Sequence, residues 1–267
     1  MKRGFLVLLL LAACVHAPAQ TPDCAALTHQ ALELSGFNLS IDRMASIFAS
    51  NDFMQKFRGR ESADQFITVF RPILLKEFNP AILRREMHER VSAHCNAEQM
   101  ARTVELLQTP LQAKMLALEA ETNTPEGQEK LQRYINIAKT VPPTDERLEA
   151  LDAIDSSMGS SDFVTEMAMA MTRGMMTGLG APQELITQFE THRRDLKAQM
   201  QNNIELSMSV TYHGVTRPEL LQYAREVGAQ PLKGFYALIS KTFTGMVEEH
   251  ARAMGQELKK TLPPPQN

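Results

Sequence analysis

The stretch Asn96 to Lys114, NAEQMARTVELLQTPLQAK, carries the grammar of the whole chain. Asn96 stands as a helix N-cap with Gln99 three residues on. At that spacing the cap side chain takes the N3 amide and the N3 side chain reaches back. One short amphipathic helix follows, to about Gln108. Thr109 then caps a new helix, and Gln112 completes another box. Pro110 takes the first helical position, where its missing N–H would have been unpaired anyway. About 120 residues later the pattern returns as Thr216 to Phe235, TRPELLQYAREVGAQPLKGF. Here Thr216 and Glu219 form the box, and Pro231 is the breaker behind a poorer cap, Gln230. Further upstream Ala31-Leu32 aligns with Ala150-Leu151, and Glu98 aligns with Glu219. The expectation is an all-α fold of two related helical repeats of roughly 120 residues each, packed as helical bundles. The competing reading is two unrelated hairpins that share capping grammar.

The composition agrees with helices. Of 267 residues, 43% are hydrophobic and 22% charged, tryptophan is absent, aromatics are 6% and there are 16 methionines. Runs of β-branched and aromatic residues, the mark of strands, are few.

Residues 1–19 read as a signal peptide: Lys2 and Arg3, then the apolar run Phe5 to Val15, then Ala17-Pro18-Ala19 as a cleavage site before Gln20. Periplasmic localisation follows. A rival reading takes Leu11-Ala12-Ala13-Cys14 as a lipobox and anchors the protein through a lipid on Cys14. The net charge of −3 becomes −5 once Lys2 and Arg3 are lost. An acidic chain without a basic tail is a poor nucleic-acid binder, and no transmembrane span is expected in the mature chain. Residues 20–140 are the first repeat, 141–144 a Pro-rich linker, 145–261 the second repeat and 262–267 a disordered tail.

Within the first repeat, Asp23 caps a helix ending at Gly36, and Ile41 to Ala49 is a second. Ser62 with Gln65 opens a third, which Pro72 should kink. Asn79-Pro80 starts a fourth, running to His94, and Thr124-Pro125 opens one through Lys139. Thr144 caps a helix over Asp145 to Asp155, and Phe163 to Thr177 is Met-rich. Pro182 opens a long helix toward Val210. The last helix, Pro231 to Lys260, carries the stripe Leu232, Phe235, Ile239, Phe243, Met246 and His250 at helical spacing. Cys24 and Cys95 are the cysteines left after either cleavage. Both sit at helix ends that an up-and-down arrangement brings together, so a disulfide between them is expected.

The capped helix bearing Glu98, followed by Thr109-Pro110-Leu111-Gln112-Ala113-Lys114, resembles the domain of unknown function 2059 family. The entry Pro142-Pro143-Thr144-Asp145 into the second copy is similar to that family's as well. The resemblance covers most of the mature chain in two copies. It implies helical proteins exported by Gram-negative bacteria and supplies no reaction. Leu106-Leu107 stands where the family has an aromatic pair and Gln112 where it has glycine. The second copy has Phe235 in place of the lysine.

Few constellations point to chemistry. His88-Glu89 lacks the second histidine of a zinc-protease helix, since position 92 is Ser92. His94-Cys95 has no base shown to face the thiol. Met167, Met171 and Met175 lie on one helix face. Soft thioethers suit Cu(I), but the same spacing makes a packing stripe or an adaptable groove. Gly174 and Gly178 beside them permit close helix approach, and His250 reads as a core histidine with one hydrogen bond. The first functional reading is a non-catalytic envelope protein. It would bind another protein, a peptide or an apolar ligand in a groove where the Phe163–Leu179 and Pro231–Lys260 helices meet, with Met167, Met171, Met175, Phe235 and Tyr236 as its candidates. No catalytic, cofactor or metal residues are assigned. The alternatives are an enzyme with a dispersed site and periplasmic copper handling through the three methionines.

Overall fold

The structure, a computed structural model, describes residues 23–50, 63–122, 124–138 and 143–261. The expected leader with Cys14 and Ala19, the Ser62 cap, Pro142 and the tail 262–267 lie outside those residues. The described residues form helices and turns with no strand. In chain order these are α1 (Cys24–Leu34), α2 (Phe37–Ala49), α3 (Ala63–Glu77), α4 (Pro80–Ser92), α5 (Ala97–Leu107), α6 (Pro110–Thr122) and α7 (Pro125–Ala138). Then come α8 (Asp145–Met158), α9 (Ser160–Leu179), α10 (Gln183–Glu190), α11 (Arg193–Thr211), α12 (Arg217–Val227) and α13 (Leu232–Thr261).

Capping sets most of these boundaries. Asp23 accepts the Ala25 N–H at 3.0 Å, Asn79 the Ala81 N–H at 2.9 Å and Asn96 the Gln99 N–H at 3.0 Å. Each satisfies an amide that the first helical turn leaves open. At the start of α12, Glu219 Oε2 receives both the Thr216 N–H at 3.1 Å and the Thr216 hydroxyl at 2.8 Å. Between α1 and α2 the chain turns at Gly36 with φ +70°, which a side chain would strain.

Several boundaries differ from the sequence reading, each for a tertiary reason. Helix α2 begins at Phe37, four residues before Ile41, because Phe37 is anchored edge-on against Phe243 with ring centroids 5.3 Å apart. The long helix from Pro182 is two helices. They part at Thr191, whose hydroxyl donates to the Gln188 carbonyl at 2.7 Å and draws the backbone into a turn. Pro231 lies just ahead of α13, its carbonyl accepting the Phe235 N–H at 3.0 Å. The second box of the opening stretch is not closed. The Gln112 side chain donates across to Glu226 of α12 at 3.1 Å instead of returning to Thr109. Helix α9 starts at Ser160 because buried Asp155 receives the Ser161 N–H at 2.8 Å and its hydroxyl at 2.5 Å.

Two apolar cores result, and both draw on the chain on either side of 141–144. The first gathers α1 to α5, through residues such as Leu32, Leu83 and Met87, around the last helix, with Phe243, Met246 and Met254 at its centre. The second joins Met115 of α6 to Leu151 and Ile154 of α8 and to Leu220 and Val227 of α12. The helix after each Pro-Leu pair thus packs with the other half of the chain. Helix α5 rests on α1 and α12 rests on α8. The buried residues of α5 are Met100, Thr103, Val104 and Leu107. Those of α12, Leu220, Tyr223, Ala224 and Val227, each lie 120 positions later. A salt bridge of 2.7 Å from Lys114 to Glu219 also ties α6 to α12.

Helices α9 and α13 make the closest helix contact, running in the same direction. A Cβ on Gly174 would stand 2.3 Å from the Glu248 carbonyl oxygen, and one on Gly178 2.2 Å from that of Arg252. The buried residues of α9 are mostly small: Ser161, Thr165, Ala170, Gly174 and Gly178, with Met169 beside them. Cys24 and Cys95 are disulfide-bonded with their Cα atoms 5.9 Å apart, which joins the start of α1 to the turn after α4. His250 is not a core histidine with a single partner. Its ring stands between Glu77 at 3.5 Å and Glu86 at 3.3 Å, on α3 and α4.

Candidate ligand groove and its polar neighbour

Two openings flank the glycine-mediated contact of α9 with α13. One, of about 490 Å³, lies between Asp162, Phe163 and Glu166 of α9 and Lys233, Ala237 and Lys241 of α13. The more apolar one lies on the other flank of α9, where α2 forms the facing wall and α13 the floor. This groove has a volume of about 590 Å³. Ile41, Met44 and Ile47 come from α2, Met167 and Met171 from α9, and Phe243 and Val247 from α13. Ile47 is 47% exposed at the rim, an apolar side chain held partly in water. Two of the five candidate groove residues, Met167 and Met171, therefore line the opening. Met175 packs against the first core further along α9. Phe235 is buried in that core and Tyr236 packs between the two cores. They stand two turns before Phe243 on α13, beyond the end of the groove.

Ser40 and Arg43 of α2 are the polar residues in this lining, and Arg43 is the charged one. Partial burial lowers the Arg43 pKa from its usual value. Arg43 also lines a second cavity of about 230 Å³, whose other walls include Glu119, Ser160, Ser207, Thr211 and Tyr212. An apolar groove and a polar cavity thus share one arginine.

Glu119 is the centre of the polar cavity. The Tyr212 hydroxyl donates to Glu119 Oε1 at 2.6 Å and the Tyr223 hydroxyl to the same oxygen at 3.4 Å. Burial pushes the Glu119 pKa up, and the two tyrosine hydrogen bonds pull it partly back. Tyr212, Tyr223 and Tyr236 are all raised, first by burial and then by the Glu119 charge. Among the described residues no cation pairs with Glu119, and its Oε2 makes no hydrogen bond. Nor do the hydroxyls of Ser160 and Ser207. The four residues of the cluster come from α6, the end of α11, α12 and α13, so no local motif announces them. Two signals were present in the sequence. Glu119 falls one turn after Met115 on the core-facing side of α6, and the cluster uses three of the chain's four tyrosines.

The histidines near the disulfide have local roles. His88 Nε2 lies 2.8 Å from the Ala25 carbonyl oxygen and His94 Nδ1 2.9 Å from that of Arg90. Among the described residues no group of three His, Cys, Asp or Glu is placed to hold a metal ion, and no helix is long and apolar enough to cross a membrane. In comparisons with known proteins, no family model, no curated protein and no solved structure matches the chain.

Proposed function

We propose that this chain is an exported, non-catalytic binding protein that holds an apolar ligand in the groove between α2 and α9. The observation that carries the reading is the lining: an apolar cavity of about 590 Å³ walled by Ile41, Met44, Met167, Met171, Phe243 and Val247. The volume falls within the roughly 300–1,000 Å³ of small-molecule sites, which pair an apolar lining with a few polar groups that fix orientation. Methionines on one wall suit chains of varied shape. The basic and then apolar run of residues 1–19 supports export, and the Cys24–Cys95 bond fits an oxidising compartment. The 120-position register of buried residues in α5 and α12 supports a duplicated unit of the kind the opening stretch resembles.

The test is displacement of a fluorescent long-chain fatty acid from the purified mature chain. Wild type should bind it, and Ala168→Trp should fill the groove and abolish binding. Binding that is unchanged in Ala168→Trp places the ligand elsewhere and refutes the reading. So does wild-type protein that binds no fatty acid at all.

A further inference from the structure

We propose that the opening on the flank of α9 away from α2, walled by α9, α13 and the end of α8, is a binding site for a small phosphate monoester with an apolar body. It is a second site, separate from the groove against α2, and it does not depend on what that groove holds.

The pairing of charges in the lining carries the inference. The cavity measures about 490 Å³, and its ionic side chains are Asp162 and Glu166 of α9 and Lys233 and Lys241 of α13. Both acids already have partners outside the cavity: Lys197 reaches Asp162 at 2.5 Å, and Arg193 pairs with Glu166. Among the described residues neither lysine ammonium has an ion pair or a hydrogen bond. The acids are neutralised and the bases are not. Hydroxyls add to the donors. Ser156 and Ser157 at the end of α8 and Ser240 and Thr244 on α13 line the cavity, and none of these hydroxyls makes a hydrogen bond among the described residues. A hydroxyl inside a helix commonly returns its proton to a carbonyl one turn back, as Thr165, Thr211 and Thr261 do here. Ser240 and Thr244 keep theirs for the cavity.

The helix register brings the two lysines to one place. Gly174 lies against Ala251 and Gly178 against Gly255, in both cases 77 positions on. Carried back along this parallel pair, the same offset sets Ala237 level with Ser160 at the start of α9, with Lys233 and Lys241 one turn to either side. Their Cα atoms are about 12 Å apart at the helical rise, so each stem has half that span to cover to reach an ion above Ala237, whose methyl leaves the space open. The amides of α9 are not required, since Asp155 already receives the Ser161 N–H. The count of groups names the occupant. Two ammoniums match the roughly two negative charges of a phosphate monoester near neutral pH, and its three terminal oxygens can take both lysines and the hydroxyls as well. A carboxylate, with one charge and two oxygens, would leave one lysine uncompensated. A phosphate fills only a part of the cavity, and Met158, Phe163 and Ala237 give the remainder an apolar wall for the body beyond the ester.

The experiment is calorimetric titration of the purified mature protein near neutral pH, in a phosphate-free buffer at fixed ionic strength, with phenyl phosphate, inorganic phosphate and benzoate. Phenyl phosphate should bind at least about tenfold tighter than either of the others, benzoate lacking one charge-assisted contact and inorganic phosphate the apolar body. Lys233→Met and Lys241→Met should each weaken it by about tenfold, and Ala237→Glu, which sets a carboxylate between the two lysines, should abolish binding. Both lysines are exposed, so methionine there leaves the fold intact, and the wild-type series stands without any variant. Phenyl phosphate that binds no better than benzoate overturns the phosphate site. Inorganic phosphate that binds as tightly as the ester overturns the apolar body. Binding unchanged in both lysine variants places the anion elsewhere and overturns the proposal. None of these outcomes bears on the α2 groove, which the fatty-acid displacement tests by itself.

Discussion

Replacing Gly178 by alanine tests the packing that places the groove. Gly178 lies in the middle of the closest helix contact, where its added Cβ would meet the Arg252 carbonyl oxygen at 2.2 Å, with Gln256 N and Gly255 Cα both at 2.9 Å. All three are backbone atoms, so no side chain can swing away. Ordinary contact needs α9 and α13 to part by roughly 1 Å, which strips dispersion contacts from both helices. Overpacking of this kind costs about 1–3 kcal/mol, and rigid backbone on both sides puts it at the upper end. Against this, alanine gains about 1 kcal/mol in helix propensity over glycine. The net is a loss of about 2 kcal/mol, or a melting temperature lower by roughly 4–8 °C for a chain of this size. Gly174→Ala should behave alike, since its Cβ meets the Glu248 carbonyl oxygen at 2.3 Å. Gly245 supplies the control: it lies in α13 with nothing within 4 Å of a Cβ, so Gly245→Ala should raise the melting temperature by about 2–4 °C. Thermal unfolding followed by circular dichroism reads all three. If Gly178→Ala melts at or above wild type while Gly245→Ala behaves as stated, the helices are not in backbone contact. The groove would then have to be placed anew, because its α9 wall and α13 floor are set by this joint.

Two further outcomes are expected. Removing the disulfide as Cys24→Ser with Cys95→Ser opens a loop spanning 71 positions and should lower the unfolding free energy in urea by about 4 kcal/mol on the chain-entropy account; a loss below about 1 kcal/mol would show that the helices hold these ends together unaided. Lys114, followed by the Thr216 hydroxyl and N–H, holds the exposed Glu219 carboxyl at about 2, below its usual 4.5, so the stability it lends is complete above about pH 5 and is lost as pH falls from there toward about 2. The gap in unfolding free energy between wild type and Glu219→Gln should close over that window, and a constant gap would mean that the clasp between α6 and α12 contributes nothing.

How much was legible in advance follows the range of the forces involved. Asp23, Asn79, Asn96 and Thr216 act on amides two or three residues away, so their helix starts could be read directly. The cysteine pair was legible for another reason: few candidates remained, and both sat at helix ends. The break at Thr191 was not, because a hydroxyl bonding backward within a polar stretch looks like any other surface threonine. Gln112 was misread, since the side chain that would close a box finds Glu226 on a distant helix. The glycines of α9 did signal close approach, but the share of α2 in walling the apolar groove beside that joint did not show in the sequence. Glu119 lay furthest out of reach. Its partners stand between 93 and 117 positions away, and no spacing rule connects a carboxylate to tyrosines over that distance.

The exchange of helices between the two cores sets an order of completion during synthesis. A chain emerging amino end first has α1 to α5 out early, yet the centre of their core is supplied by Phe243, Met246 and Met254, within the last 30-residue helix. That core stays open until almost the whole chain is available. The second core closes only when α12 arrives to join Met115 of α6. Domains that fold as units do so in sequence as they leave the ribosome; here neither unit is finished before the other can be. Contacts of such long sequence separation slow folding. Cutting the chain at 141–144 would leave two fragments, each missing a helix of its own core.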